Sequence, residues 1–266
     1  MSSFRLQGRF SRRAGHVLCL AFIVSQLCVA QEINVAAAAD LQFAMQDIAG
    51  RFQKESGKNV KVSYGSSGNF FQQLQNGAPF DMFFSANLDY AKKLDTAGLV
   101  EPGSYYEYAQ GKIVLWATNE SKLNLNSGLK VLLDSSIRKI AVADPQHAPY
   151  GQAAVAALQK ENIYDRVKDK LVLGENISQT ASFLQSGAAD VGIIALSLAL
   201  SPNMKESGHS AEVPSDDYPP IKQACVILRS SRNKTVANQF LAFIKTAAIR
   251  DVLKAYGFEV RVDKGQ

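Results

Sequence analysis

Ile33-Asn-Val-Ala-Ala-Ala-Ala-Asp-Leu41 is the stretch on which the fold turns. Ile33 to Ala38 is short and apolar apart from one asparagine, the pattern of a buried strand. From Leu41 to Lys54 the apolar period changes. Leu41, Ala44, Met45, Ile48 and Phe52 fall on one helical stripe. A buried strand feeding an amphipathic helix points to a layered α/β chain.

The alternation continues outward. Val60 to Tyr64 reads as a strand, Asn69 to Asn76 as a short helix stopped by Gly77, and Asp81 to Ser85 as a strand. Leu88 to Thr96 reads as a helix closed by Gly98. A second series opens with the strand Lys112 to Thr118, after the tyrosine-rich segment Tyr105 to Tyr108. It continues with a helix at Leu129 to Leu133, a strand at Ile140 to Ala143 and a helix at Gln152 to Glu161. The strand Leu171 to Leu173, the helix Gln179 to Ser186 and the strand Val191 to Ile194 follow. Ser201 to Pro220, rich in Pro, Ser, Gly and Asp, reads as a surface loop. Ala224 to Leu228 is a further strand, and Lys234 to Ala247 and Ala248 to Tyr256 are closing helices.

This order predicts two lobes with mixed sheets and flanking helices. Residues 31–110 and 230–266 make the first lobe and 111–229 the second. The chain crosses out along Lys112 to Thr118 and returns along Ala224 to Leu228, with a ligand cleft between the lobes.

Residues 1–30 predict a cleaved secretory signal. Arg5, Arg9, Arg12 and Arg13 precede the apolar run Val17 to Val24, which continues to Val29, and Cys28-Val29-Ala30 offers small residues at the cleavage point. The run is too short for a comfortable bilayer span. Removing the four arginines from 29 basic residues leaves 25 against 24 acidic ones. The basicity is therefore a targeting feature and gives no support for nucleic-acid binding. Of the three cysteines only Cys225 remains, within an apolar run, where a small buried hydrophobe is expected rather than a reactive thiol.

Four segments share one grammar: a strand end, small or hydroxyl residues, then a helix start. They are Ala38-Ala39-Asp40-Leu41, Gly65-Ser66-Ser67-Gly68, Pro149-Tyr150-Gly151-Gln152 and Asn176-Ile177-Ser178-Gln179. A helix N-terminus presents unpaired N–H groups and about half a positive charge. Several of them converging make an anion site without lysine or arginine. No serine sits in a recognisable histidine–carboxylate constellation, so nucleophilic catalysis is not expected.

These residues carry a family resemblance. Ile33 to Leu41 with Ala44-Met-Gln-Asp-Ile-Ala49 resembles the opening of periplasmic molybdate-binding proteins. So do Tyr64 to Ser67, Gly77 to Ala86, Asp144-Pro-Gln-His-Ala-Pro-Tyr-Gly151, Gly187 to Ile193 and Ala255-Tyr-Gly-Phe258. The resemblance implies a type II periplasmic binding fold, capture of molybdate or tungstate, and delivery to the membrane subunits of an ABC permease. It implies a monomer with no cofactor and no enzymatic activity. Residue by residue, it implies a ligand set of Ala39, Asp40, Ser66, Ser67, Tyr150 and the backbone donor at Ile177. His147, within Asp-Pro-x-His-x-Pro, is expected to order its loop.

Asp40 departs from the family pattern, which has serine or asparagine there. An ionised carboxylate about 4 Å from a dianion is repelled by several kcal/mol. Three resolutions stay open: Asp40 caps its own helix, Asp40 is protonated when the anion binds, or the ligand is a different oxyanion or a small carboxylate or zwitterion.

Overall fold

The computed structural model describes residues 32–260. The expected signal segment, residues 1–30, lies outside the described residues. The first lobe opens with β1 (Glu32–Ala38), a 3₁₀ turn (Ala39–Leu41), α1 (Gln42–Ser56), β2 (Asn59–Gly65), α2 (Ser67–Gln75), β3 (Met82–Ser85), α3 (Leu88–Thr96) and β4 (Tyr106–Gly111). The second holds β5 (Ile113–Thr118), a 3₁₀ stretch (Leu125–Leu133), β6 (Ile140–Ala143), α4 (Pro149–Lys160), α5 (Tyr164–Val167), β7 (Leu171–Gly174), α6 (Ile177–Gln185), β8 (Val191–Ala195), α7 (Leu196–Ala199), α8 (Pro202–Ser207) and β9 (Gly208–Glu212). The chain then returns through β10 (Ile221–Ile227), α9 (Lys234–Ile244) and α10 (Ala247–Ala255).

The two sheets repeat one plan. In the first the order is β2-β1-β3-β10-β4; β1 runs parallel to β2 and β3, and β10 runs antiparallel to β3 and β4. In the second the order is β7-β6-β8-β5-β9; β6 runs parallel to β7 and β8, and β5 runs antiparallel to β8 and β9. β1 sits inside its sheet, and Ile33, Val35, Ala36 and Ala37 are fully buried, so the strand needs apolar residues on both faces. The stripe of α1 packs on it through Met45, Ile48 and Phe52, joined by Phe240 of α9. Each of these side chains contributes about 1.5–3 kcal/mol by leaving water.

Five expectations need correction. The second lobe does not extend to residue 229: β10 pairs with β3 and β4 in the first sheet. The return crossing is the proline-bearing segment 213–220, which precedes β10 and has no strand pairing of its own. The outward crossing is a single residue, Lys112, because the tyrosine-rich segment forms β4. Residues 201–220 are not a plain loop. They hold α8 and the edge strand β9, whose polar residues satisfy a ladder to β5 through backbone groups alone. The expected helix at Leu129 to Leu133 is 3₁₀, begins at Leu125, and is broken at Gly128, whose φ of 67° suits a residue without Cβ.

Candidate ligand site between the lobes

Ligands of open α/β sheets sit at the carboxyl ends of parallel strands. All four donor segments occupy such ends. Ala39 and Asp40 follow β1, Ser66 and Ser67 follow β2, Tyr150 follows β6, and Ile177 follows β7. The two sheets face each other with these ends inward. They enclose a small cavity of about 10 Å³ lined by Ala39, Asp40, Ser66, Ser67, Ala86, Tyr150 and Ile177, among others. Pockets for drug-sized ligands begin near about 300 Å³, so this one leaves room only for a small solute.

The capping of each helix decides which N–H groups face inward. In α2, the Ser66 hydroxyl accepts from Asn69 N at 3.3 Å, and the carbonyl of His147 accepts from Gly68 N at 2.9 Å. In α6, Asn176 Oδ1 accepts from Ser178 N and Gln179 N, both at 3.0 Å. In each helix the deeper donors are consumed and the first, at Ser67 or Ile177, has no partner within the helix. α4 begins with Pro149 and no side-chain cap, so its early N–H groups, including that of Tyr150, also lack intrahelical partners. Ser67 Oγ accepts from Ala86 N at 2.9 Å, which leaves its own proton to donate. No lysine, arginine or histidine lines the cavity.

Asp40 is 1% exposed. It does not cap its helix: the 3₁₀ turn is capped at Ala38, with no side-chain bond, and Asp40 lies inside the turn, where cap geometry is lost. Its carboxylate points into a buried polar cluster instead. Oδ2 accepts from Tyr150 Oη at 2.8 Å and from Gln223 Nε2 at 2.6 Å. Tyr108 Oη donates to Gln223 Oε1 at 2.6 Å and so fixes the amide with its nitrogen toward Asp40. Gln223 Nε2 also donates to Tyr150 Oη at 3.1 Å. Oδ1 is buried and has no hydrogen-bond partner among the described residues. Burial raises the carboxyl to about 6, against the opposing pull of the Gln223 and Tyr150 bonds. The phenols of Tyr108 and Tyr150 are pushed well up, by burial first and then by the Asp40 charge. They remain protonated donors.

Tyr150 therefore meets the cavity through its main chain. Its phenolic proton is committed to Asp40, which leaves its backbone N–H as the group for a ligand. Gly111 makes this possible, since a Cβ there would lie 2.0 Å from Tyr150 Oη. Gln223 and Ser197, which donates to the Asp40 carbonyl at 2.7 Å, were not singled out in the sequence, and Tyr108 was noted only as part of the tyrosine-rich segment. One signal was available for Gln223: it is a lone amide inside the apolar strand β10. The lobes also meet where Ser178 Oγ donates to Ala39 O at 3.1 Å and to Gln42 Oε1 at 2.8 Å.

Residues outside the cavity have structural roles. Asp81 accepts from Asn34 N and Ser231, and Asp190 from the backbone of Arg138 and Lys139. Cys225 is buried, and its thiol is pushed up to about 12 by burial, so it is no nucleophile.

Two sheets of one plan closing on a cation-free cavity define a solute-binding protein, and residues 33–259 match the family described as bacterial extracellular solute-binding protein. The chain belongs to that family, whose business is solute capture for import and not catalysis. It is 35% identical to a molybdate-binding protein, ModA, of Rhodobacter capsulatus, over 93% of this chain and 96% of that one. It is 37% identical to the ModA of Azotobacter vinelandii, over 87% and 92%. The solved Azotobacter vinelandii periplasmic molybdate-binding protein superposes with a TM-score of 0.82 at 34% identity, covering 86% of this chain and all of that one.

Proposed function

We propose that this chain is an extracytoplasmic receptor for molybdate or tungstate that hands its ligand to an ABC permease. One observation carries the reading. The unspent N–H groups of Ser67 and Ile177, the Ser67 hydroxyl and the loop after β1 converge on one small cavity that holds no cationic side chain. Uncharged donors in a dry site suit a small, fully deprotonated oxyanion, because aligned N–H dipoles are strong there. The site comprises Ala39, Asp40, Ser66, Ser67, Tyr150 and Ile177. The protein works as a periplasmic monomer, released by cleavage after Ala30. Relatives named for molybdate support this assignment.

Isothermal titration with molybdate, tungstate, sulfate and phosphate tests it. Heat and a thermal shift with the first two are expected. Silence from both at neutral and mildly acidic pH rejects the reading. The orphan Oδ1 of Asp40 favours one alternative, a small zwitterion whose cationic end meets the carboxylate; a thermal shift with amino acids and none with oxyanions would select it.

Ile177→Pro isolates a single backbone donor. Proline is at home in the first position of a helix, and Asn176, with φ −147° and ψ 174°, is already in the extended region a pre-proline residue requires. The helix stays and the N–H goes. Affinity is expected to fall about 10- to 100-fold, the worth of one charge-assisted bond, while Ile177→Val stays near wild type. Equal affinities for the two variants would remove Ile177 from the site.

A further inference from the structure

We propose that this receptor takes up one proton with each dianion it binds, and that Asp40 Oδ1 holds this proton between carboxyl and ligand. The inference rests on the oxyanion reading above and deepens it.

The geometry leaves one place for the proton. Asp40 lines the cavity, yet nothing in its surroundings neutralises it. Tyr150 from α4 and Gln223 from β10 donate to the carboxyl itself, Tyr108 from β4 backs the Gln223 amide, and Ser197 from α7 holds the Asp40 main-chain carbonyl. Two are phenols that keep their protons; the others are an amide and a hydroxyl. No base and no cation appears among them. Both side-chain donors to the carboxyl are gathered on Oδ2; the backbone N–H groups of Asp40 and Leu41 lie close to the carboxyl, yet Oδ1 is buried and receives no side-chain donor. An ionised Oδ1 would set a full negative charge against a dianion in a water-poor site. A protonated Oδ1 turns the same atom into an O–H donor to the ligand, as an asparagine amide would be. In balance, carboxylate, solvent proton and free dianion give carboxylic acid hydrogen-bonded to bound dianion, and no covalent bond to the ligand forms or breaks. Asp40 is the one group of this cluster that changes charge near neutral pH: burial raises its carboxyl to about 6, and the incoming dianion raises it further.

Titrations of molybdate into the full-length secreted protein, from about pH 6 to about pH 8.5 in pairs of buffers with different ionisation heats, count the protons. Uptake is expected to approach one per ligand at about pH 8, with Kd rising about tenfold per pH unit above about pH 7. Asp40→Asn is expected to take up none, to show a flat Kd, and to bind on the order of 100-fold tighter than wild type at about pH 8. Tyr150→Phe gives a second handle. Losing a donor to Oδ2 weakens the carboxylate form, so the uptake window moves to higher pH. Wild-type binding with no proton uptake and a flat Kd overturns the proposal and leaves the oxyanion reading standing. An uptake window unmoved in Tyr150→Phe also overturns it. Absence of molybdate and tungstate binding in wild type and both variants overturns the receptor reading itself, and this proposal with it.

Discussion

Gly68→Ala is expected to weaken ligand binding by on the order of 100-fold while leaving the ligand-free protein as stable as before, or slightly more so. Gly68 is the second residue of α2. In the helix alone alanine is better than glycine by up to about 1 kcal/mol. Across the cleft the effect reverses. A Cβ on Gly68 would lie 2.6 Å from the His147 carbonyl oxygen and 3.0 Å from its Cα, and both are backbone atoms that no rotamer change removes. The Gly68–His147 hydrogen bond joins the two lobes, so the clash is relieved by parting them. In the parted form both groups meet water and nothing is left unsatisfied. The closed cavity is penalised by steric overlap and a lost bond together, about 3 kcal/mol in all. Titration calorimetry reads the affinity, and small-angle scattering reads whether ligand still compacts the molecule. Wild-type affinity in this variant would mean that closure does not need this contact.

Asp40→Asn is expected to stabilise the lobe-closed, ligand-free protein by up to about 3 kcal/mol at about pH 8, less where the lobes part and hydrate the carboxyl, and by almost nothing at about pH 4. The carboxyl rises from 3.8 to about 6 on folding, with burial as the main cause. The native state therefore binds the proton more tightly than the unfolded chain. Between those two values the unfolded state holds fewer protons, so stability falls as pH rises through the window and is flat above it. Asparagine does not titrate, and its Oδ1 still accepts from Tyr150 and Gln223. Urea unfolding of both proteins at each pH isolates the term, because other acids cancel in the difference. A wild type as stable as the variant at about pH 8 would show the buried carboxylate to be better compensated than its bonds suggest.

The residues of the cavity were legible because each is local. A strand end, a hydroxyl or small residue and a helix start can be read in four letters, and all four segments lie where such spelling puts them. What those side chains do once the lobes meet was not legible. Tyr150 turns its phenol to Asp40 because Gly111, far off in sequence, has no Cβ, and because Tyr108 holds the Gln223 amide in one orientation. Such facts belong to pairs of residues tens of positions to more than a hundred apart. The lobe boundary failed for a related reason: β10 is apolar whichever sheet it joins, and only its pairing with β3 and β4 assigns it. β9 was missed because Gly208-His-Ser-Ala-Glu212 has no apolar alternation. Its place at the sheet edge needs only backbone groups.

The absence of lysine and arginine from the cavity lining bears on unloading as well as on capture. A grip made of N–H and O–H dipoles is short in range, and its strength depends on several donors aiming at one point at once. When the lobes swing apart, the donors of α2 leave with one lobe and those of α4 and α6 with the other. Each half then holds an anion weakly, and no full positive charge stays behind to tether it. A transporter that pries the lobes open needs no competing cation to free the cargo; the hinge movement alone dissolves the site.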